Sequence, residues 1–338
     1  FEMARRAVQL ENPARVIKCC DGDYDPPAPF GMPDNHCYCG WYIGHGIDLG
    51  KLHRGYWLPV SPGWHYGCGE FGSEGLDFRN TMEEYYPREW LPRSARDAES
   101  WSPAVISMAQ TEKFHHLWYE TPQGMDGWIE DSQTFQAWIT RMMTEAFRRD
   151  ARMNTFAIHL FIDAWPAGWM KTIMDTQRQP KKAYFAYRDA LTPLMVSLRS
   201  DRYSYRSGES IDLEAWVCND TDAAPEDMTL RYTLEQNGRV LQSGTAPATV
   251  DRCAPRGQGH VEFRAPDVQA RGSVTARLAL CDANGTVVHD TSLDVDVFPG
   301  AAAAEGTAAR PVHVVGPRDG RAARLVRELG LKPRYSAQ

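Results

Sequence analysis

The sequence changes character at Pro193, and this change limits the chain to a composite fold. From Leu194 to Phe298 we count about seven short segments in which apolar and polar residues alternate, which is the pattern of half-buried strands. Two Asn-Gly pairs, Asn237-Gly238 and Asn284-Gly285, are typical of tight hairpin turns. The pattern predicts a β-sandwich of immunoglobulin type. Its clearest segments are Ile211–Val217, Met228–Gln236, His260–Arg264 and Val274–Cys281.

Before Pro193 strands alternate with helices, which favours a parallel α/β arrangement. Thr155–Trp165 is apolar throughout, as expected of a strand that is covered on both faces. The other predicted strands are Arg15–Cys20, Cys37–Ile43 and the segment around Glu70. Asp126 is the predicted N-cap of a long helix, and a second helix runs from Pro180 to Leu191. Apolar residues recur along the long helix at steps of three and four, namely at Trp128, Ile129, Phe135, Ile139, Met142, Met143 and Phe147.

Both ends of the sequence look incomplete. Residues 1–11 have the pattern of the end of an amphipathic helix, and the first residue is not Met. At the other end, Ala301–Ala309 is predicted to be a linker, Pro311–Gly316 begins a strand and Arg321–Leu329 begins a helix. We therefore predict three units. They are residues 1–193, residues 194–298, and residues 299–338 as the truncated start of a further α/β domain.

Charge and composition exclude several classes of binding partner. The net charge of −7 argues against nucleic acid and anionic membranes, which need clustered basic residues, and no apolar run is long enough for a membrane span. The cysteines contain no Cys-x-x-Cys pair and the histidines show no ligand spacing, so we predict no metal and no cofactor, and interpret His36 as a loop residue. Eleven Trp and fourteen Tyr hint at carbohydrate, although aromatic residues also fill cores.

The stretch from Trp64 to Asp77 contains the main candidate for chemistry, Glu70. Glycines at positions 67, 69, 72 and 75 would let the backbone bend around this residue. Strand alternation predicts that Cys68 lies beneath Glu70 on the same face. A carboxylate held at the end of a strand is a candidate nucleophile, and the alternative is a solvated glutamate beside a turn. Glu74 and Asp77 are interpreted as residues that shape the following loop.

Four motifs follow one another in order between residues 12 and 193. They are Asn12-Pro-Ala-Arg-Val, Tyr38-Cys-Gly-Trp-Tyr42, Gly69-Glu70-Phe71-Gly72, and Asp163-Ala-Trp-Pro166 followed by Pro180-Lys-Lys-Ala-Tyr184. In this order they resemble the motifs around barrel strands five to eight in family 2 of the glycoside hydrolases, which holds β-galactosidases, β-glucuronidases and β-mannosidases. The predicted sandwich follows where the family has one.

The resemblance implies the second half of a (β/α)₈ barrel with its active site at the carboxyl ends of the strands. It also implies a retaining mechanism, in which one carboxylate attacks the sugar and a second, about 5 Å away, serves as acid and base. Glu70 would be the nucleophile, and Tyr38 could donate a hydrogen bond that orients it. The family position of the acid/base would precede Phe1. We therefore expect this chain alone to be nearly inactive, since loss of a general acid costs about 10²–10⁴ in rate.

The sugar-binding residues implied by the resemblance are Tyr38, His159, Asp163 and Trp165. Relatives usually carry Trp at the position of His159, which could hydrogen-bond a sugar hydroxyl or be a satisfied core histidine. Parity along Thr155–Trp165 predicts that His159, Phe161, Asp163 and Trp165 share one face.

The favoured function is a retaining exo-β-glycosidase of β-galactosidase type, acting on a carbohydrate substrate, with homo-oligomerisation possible. A β-mannosidase or a β-glucuronidase is the alternative within the class, and no obvious cation beside the strand ends argues mildly against the latter. From a different class, the chain could be a non-catalytic carbohydrate-binding homologue.

Overall fold

The computed structural model describes residues 2–14, 34–38, 65–166, 168–300, 312–328 and 331–335. The helices in these ranges are α1 (Glu2–Glu11), α2 (Arg79–Tyr85), α3 (Ala95–Glu99), α4 (Thr111–Phe114), α5 (Gly124–Arg149), α6 (Lys182–Ala190) and α7 (Arg321–Glu328). The strands are β1 (Asp34–Cys37), β2 (Tyr66–Phe71), β3 (Met153–Ile158), β4 (Leu194–Arg199), β5 (Ser204–Arg206), β6 (Ser210–Asn219), β7 (Met228–Gln236), β8 (Arg239–Ala248), β9 (Ala254–Arg264), β10 (Gly272–Cys281), β11 (Val287–Phe298), β12 (Val312–Val314) and β13 (Pro333–Tyr335). None of the helices described is long and apolar enough to cross a membrane.

Strands β1, β2 and β3 form a parallel sheet in that order. Helix α5 covers one side of this sheet, and wholly buried residues such as Cys68, Phe71, Ile139 and Met143 share one apolar cluster. The chain passes from β2 to β3 through helices α2 to α5, and this confirms the predicted mixture of strands and helices before Pro193. A complete half-barrel stays a prediction, because Arg15–Cys20 lies outside the described residues.

Helix α5 is the central packing element of this region. The apolar periodicity read from the sequence is confirmed, since six of its seven positions are buried: Trp128, Phe135, Ile139, Met142, Met143 and Phe147. The predicted cap is wrong, because the helix begins at Gly124 and Asp126 lies in its first turn. There the Asp126 carboxylate accepts a hydrogen bond from Arg79 Nε at 2.8 Å instead of capping a backbone N–H.

Residues 194–298 form two antiparallel-rich sheets that share a core. One sheet has the order β4-β6-β9 and the other the order β5-β11-β10-β7-β8, with β5 and β11 parallel. Buried residues from both sheets, among them Leu213, Leu230 and Leu278, belong to one cluster, so the sheets form a sandwich. At the predicted Asn237-Gly238 hairpin both residues have positive φ, of 51° and 76°, as a two-residue turn requires. The immunoglobulin topology stays a prediction.

The last turn of α5 is tied to the start of the sandwich. Arg148 donates hydrogen bonds to the carbonyls of Ala190, Thr192 and Pro193, and its guanidinium lies 2.9 Å from the Asp220 carboxylate. These carbonyls lie at and just after the C-terminal end of α6, where backbone carbonyls have no partner within the helix, and Arg148 supplies the missing hydrogen bonds. One side chain therefore links the α/β region to the sandwich.

Among the remaining elements, one boundary differs from the sequence predictions, and two predicted segments are only partly described. Strand β1 begins at Asp34, where a loop was expected, and residues 39–43 of that predicted strand lie outside the described residues. Helix α1 is present, but none of its side chains is buried. The predicted linker at Ala301–Ala309 is also outside the description, whereas the strand and helix after it occur as β12 and α7, with β13 parallel to β12.

The predicted strand Thr155–Trp165 ends early, at Ile158. Beyond it the backbone pairs with a later segment: Leu160 N donates to the Lys171 carbonyl and Ile173 N to the Leu160 carbonyl, at 3.3 and 3.0 Å. Strand alternation therefore stops at Ile158, and the predicted common face for residues 159–165 is wrong.

Candidate active site

The ends of β1 and β2 bring His36 and Glu70 side by side. The parallel register pairs His36 with Glu70 and Cys37 with Phe71. Cys37 and Phe71 are both buried in the cluster under α5. Since side chains alternate along a strand, His36 and Glu70 project from the opposite side of the sheet. In each strand one residue, Cys37 or Phe71, is therefore anchored in the core, and the residue before it, His36 or Glu70, lies on the opposite side of the sheet.

The Glu70 carboxylate receives two close contacts on one oxygen. Tyr38 Oη donates a hydrogen bond to Glu70 Oε2 at 2.5 Å, and His36 Nδ1 lies 3.2 Å from the same oxygen. The Glu70 side chain retains 29% of its exposure, so it is neither sealed in the core nor free in solvent. Hydrogen bonds to an ionised carboxylate are shorter and stronger than neutral ones, and they fix its orientation.

His159 stands on the other side of the carboxylate. Its Nδ1 is 3.9 Å from Glu70 Oε1, and its backbone N donates to the Phe71 carbonyl at 2.8 Å. Gly72 permits this approach, since a Cβ there would lie 2.8 Å from the His159 carbonyl oxygen. Burial lowers the pKa of His159, and the charges of Lys171 and His36 act in the same direction, against the attraction of Glu70. A neutral imidazole can accept as well as donate a hydrogen bond.

Two further side chains complete this group, and neither was predicted. The Trp169 ring packs edge-to-face on the His159 ring at 5.4 Å between centroids. Lys171 Nζ lies 5.0 Å from the ring centroids of both Tyr38 and Trp169, within the range of a cation–π contact. Lys171 is only 4% exposed. A cation therefore does lie beside the strand ends, and the sequence argument against a glucuronidase loses its basis.

Only part of the predicted sugar-binding set comes together. Glu70, Tyr38 and His159 are neighbours. Asp163 is 8% exposed and accepts a hydrogen bond from Thr172 Oγ1 at 3.0 Å, while Trp165 is 68% exposed. Among the described residues, neither of the latter two shares a hydrogen bond, ion pair or ring contact with Glu70. Their roles in sugar binding stay predictions.

The prediction that Cys68 lies beneath Glu70 is wrong. Cys68 is fully buried in the same apolar cluster as Phe71, on the α5 side of the sheet. The pairing of β2 with β3 is irregular between Cys68 and Phe71, with three steps on β2 opposite two on β3. Such a bulge adds one residue to a strand and breaks the alternation of its side chains.

The loop after β2 is buried and its two carboxylates are fully engaged. Glu74 accepts hydrogen bonds from Gln110 N and Thr111 Oγ1 at 2.8 and 2.7 Å, and burial raises its pKa to about 7. Asp77 lies 2.7 Å from Lys181 Nζ and accepts from the Tyr86 hydroxyl at 2.7 Å. These contacts favour the interpretation of both carboxylates as residues that shape the loop.

Helix α5 holds this loop from the other side. Gln136 Nε2 donates to the Ser73 carbonyl at 3.0 Å, and Gln133 Nε2 donates to the Leu76 carbonyl at 2.9 Å. Ser132 Oγ accepts from Leu76 N at 3.0 Å. Because the backbone after Glu70 is satisfied by side chains of a rigid helix, the strand end that carries Glu70 is held in place.

Comparison with solved structures finds the fold of this chain in glycosidases. The chain aligns with the β-D-mannosidase of Dictyoglomus thermophilum over 80% of its length, with a TM-score of 0.54 and 18% identity. It aligns with the exo-chitosanase CsxA of Amycolatopsis orientalis over 80% of its length, with a TM-score of 0.54 and 15% identity. The chain shares its fold with both enzymes. It spans about a third of each, 31% of the first and 32% of the second.

The two structural matches have no counterpart in the sequence comparisons. No protein-family model matches the chain, and no curated protein matches it in sequence. The expected resemblance to a family that holds β-mannosidases is therefore confirmed at the level of fold. At such low identity a shared fold does not by itself establish activity or substrate.

Sequence reasoning could have found one of the missed residues. His36 precedes Tyr38 by two positions, so a strand starting at Asp34 would have placed both on the face of Glu70. Trp169 and Lys171 carry no such signal, since they lie outside regular helices and strands and reach the site through the pairing of residues 160–163 with 171–174. Within the described ranges, no group of three or more potential metal ligands is present.

Proposed function

We propose that the chain is the nucleophile-bearing part of a retaining β-glycosidase that hydrolyses terminal β-linked sugars. The observation that carries the proposal is the environment of Glu70, which is partly exposed at a strand end while one of its oxygens is held by Tyr38 and His36. A solvated turn glutamate, the alternative interpretation, would not need a buried Tyr38 and a partly buried His36 to orient it. The shared fold with two glycosidases supports the same conclusion.

In the proposed reaction the Glu70 carboxylate attacks the anomeric carbon. The bond from carboxylate oxygen to carbon forms as the bond to the aglycone oxygen breaks, and the electron pair leaves with that oxygen, which a carboxylic acid protonates. Water then hydrolyses the glycosyl ester with the second carboxylate as base, so the anomeric configuration is retained. The resemblance places this second carboxylate before Phe1, and it stays a prediction.

The neighbouring side chains suit a sugar ring. The partly exposed Trp169 indole offers an aromatic surface, which can pack on the C–H surface of a sugar, and the His159 imidazole offers a polar group for a hydroxyl. The preference for a β-galactoside is not supported by the two structural neighbours, whose names specify a mannosidase and a chitosanase. Galactoside, mannoside and glucuronide substrates therefore all belong in the test.

Covalent trapping tests the proposal. The natural protein that carries this chain is incubated with 2-deoxy-2-fluoro glycosides of galactose, mannose and glucuronic acid with dinitrophenolate as leaving group, which needs no general acid to depart. We expect one sugar to inactivate the protein, with a mass label on the peptide that contains Glu70. The matched control is Glu74→Gln, which should be labelled at the same position.

Two outcomes would contradict the proposal. A label on another carboxylate would displace Glu70 as nucleophile. Binding of carbohydrate without any label, in a folded protein, would favour the non-catalytic binding homologue.

A further inference from the structure

We propose that His36 is a positioning residue for the nucleophile: together with Tyr38 it holds Glu70 Oε2, so that Oε1 is the oxygen that attacks the sugar. This inference rests on the proposed function of Glu70 and deepens it. His36 was interpreted from the sequence as a loop residue, and the four motifs do not include it.

The backbone gives His36 little freedom to move away from Glu70. The register pairs the two residues directly across β1 and β2. Their successors, Cys37 and Phe71, are 1% and 0% exposed in the core. A rotation of either strand that separated His36 from Glu70 would pull one of these residues out of the apolar cluster.

The two oxygens of Glu70 have different surroundings. Oε2 accepts a hydrogen bond from Tyr38 Oη at 2.5 Å and has His36 Nδ1 at an ion-pair distance of 3.2 Å. Among the described residues, the contact to Oε1 is His159 Nδ1 at 3.9 Å, which is too long for a hydrogen bond. A carboxylate oxygen that accepts one hydrogen bond and lies beside a second potential donor is the poorer nucleophile, because its lone pairs are engaged.

The difference between the surroundings of Oε1 and Oε2 can be kept throughout the reaction. As the bond between Oε1 and the anomeric carbon forms and the leaving group takes the bonding pair, Oε2 becomes the carbonyl oxygen of the ester. It can then keep both donors without rearrangement. The contact requires a proton on His36 Nδ1. Among the described residues, the titratable and charged groups that face this site are Tyr38, Glu70, His159 and Lys171.

Isosteric substitution separates a donor from a merely structural histidine. The side-chain amide of Asn places an N–H close to the position of Nδ1, whereas the longer Gln places it near Nε2, and Leu offers no donor. In the natural protein that carries this chain, we expect His36→Leu and His36→Gln to lower the rate of inactivation by the matching 2-fluoro glycoside roughly 10- to 100-fold. His36→Asn should recover most of that loss. The same three substitutions at the exposed His116 are the control and should leave the rate unchanged.

Rescue by Asn alone is the result that separates a hydrogen-bond donor from a packing role. Equal rates in all three His36 variants would overturn the inference. Wild-type labelling of Glu70 would still stand in that case, whereas a failure to label Glu70 in the wild type would instead overturn the proposed function.

The structure of the trapped glycosyl-enzyme is the direct test. We expect the ester through Oε1, with Tyr38 Oη and His36 Nδ1 still within hydrogen-bond distance of Oε2. An ester through Oε2, or a His36 ring turned away from the carbonyl oxygen, would contradict the proposal.

Discussion

Glu70 and Glu74 stand four residues apart and have opposite environments. Glu70 is the next-to-last residue of β2, keeps 29% of its side-chain exposure and is flanked by a phenol and two imidazoles. Glu74 lies in the loop that follows, is fully buried and has a pKa raised to about 7 by that burial. In the proposed function the strand end presents a carboxylate for chemistry, while the loop encloses one to fix its own shape. The same residue type would then have two roles, set by the backbone that carries it.

The strongest expected contrast is in turnover. Glu70→Gln should lower kcat of the natural protein by roughly 10³- to 10⁶-fold, since it removes the attacking group and leaves the fold intact. Glu74→Gln should retain turnover. Steady-state kinetics on both variants, with circular dichroism to confirm folding, would settle the assignment. Normal turnover by Glu70→Gln would remove the basis of the comparison.

Substitutions around the loop carboxylates Glu74 and Asp77 should change the free energy of unfolding instead of turnover. Lys181 is 0% exposed and lies 2.7 Å from Asp77, so Lys181→Met leaves a buried carboxylate without its cation. Breaking such a pair typically destabilises a protein by about 3–5 kcal/mol. Urea unfolding measures the loss. The double variant Lys181→Met with Asp77→Asn should recover part of it, and an unchanged midpoint in the single variant would show that the pair contributes little.

The burial of Glu74 predicts a pH dependence of stability. Its pKa is raised from 4.5 to about 7, so the folded state binds the proton more tightly than the unfolded state. Stability from this group is therefore fully present below about pH 4.5 and is lost as pH rises through about 7. Glu74→Gln removes that loss, and should stabilise the protein at pH 8 by up to about 3 kcal/mol while changing little at pH 4.5. Urea unfolding at both pH values measures the difference, and equal effects at the two would contradict the assigned environment.

The smallest expected effect belongs to Tyr38. Tyr38→Phe removes the donor to Glu70 Oε2 and keeps the ring under Lys171, so kcat/KM should fall roughly 10- to 100-fold. Thermal stability should change little, and a melting curve provides that control. An unchanged kcat/KM would mean that Tyr38 does not orient the carboxylate during catalysis.

Local sequence patterns predicted the regular elements well. The spacing of apolar residues identified α5, alternation identified β7 to the residue, and the Asn237-Gly238 pair identified the turn that follows. In the site, Glu70 was found because glycines and a strand pattern surround it, and the hydrogen bond from Tyr38 was anticipated through the resemblance.

The errors occurred where a distant segment changes the local pattern. Strand β3 stops at Ile158 because Leu160 pairs with Lys171 and Ile173, which lie more than ten residues later. Cys68 does not lie on the same face as Glu70, because a bulge opposite β3 adds one residue to β2. Neither event has a signature in the residues that it displaces.

The sequence by itself therefore determined that α5, α6 and the strands of the sandwich would form and that Glu70 would lie at the end of a strand, since propensity and periodicity act over a few neighbouring residues. Only the tertiary structure decided which side chains surround that carboxylate. His36 reaches it through the register of β1 against β2, and Trp169 and Lys171 through the return of the chain beside residues 160–163. Strand register and long-range pairing depend on how whole elements pack, and that information is spread over the entire core.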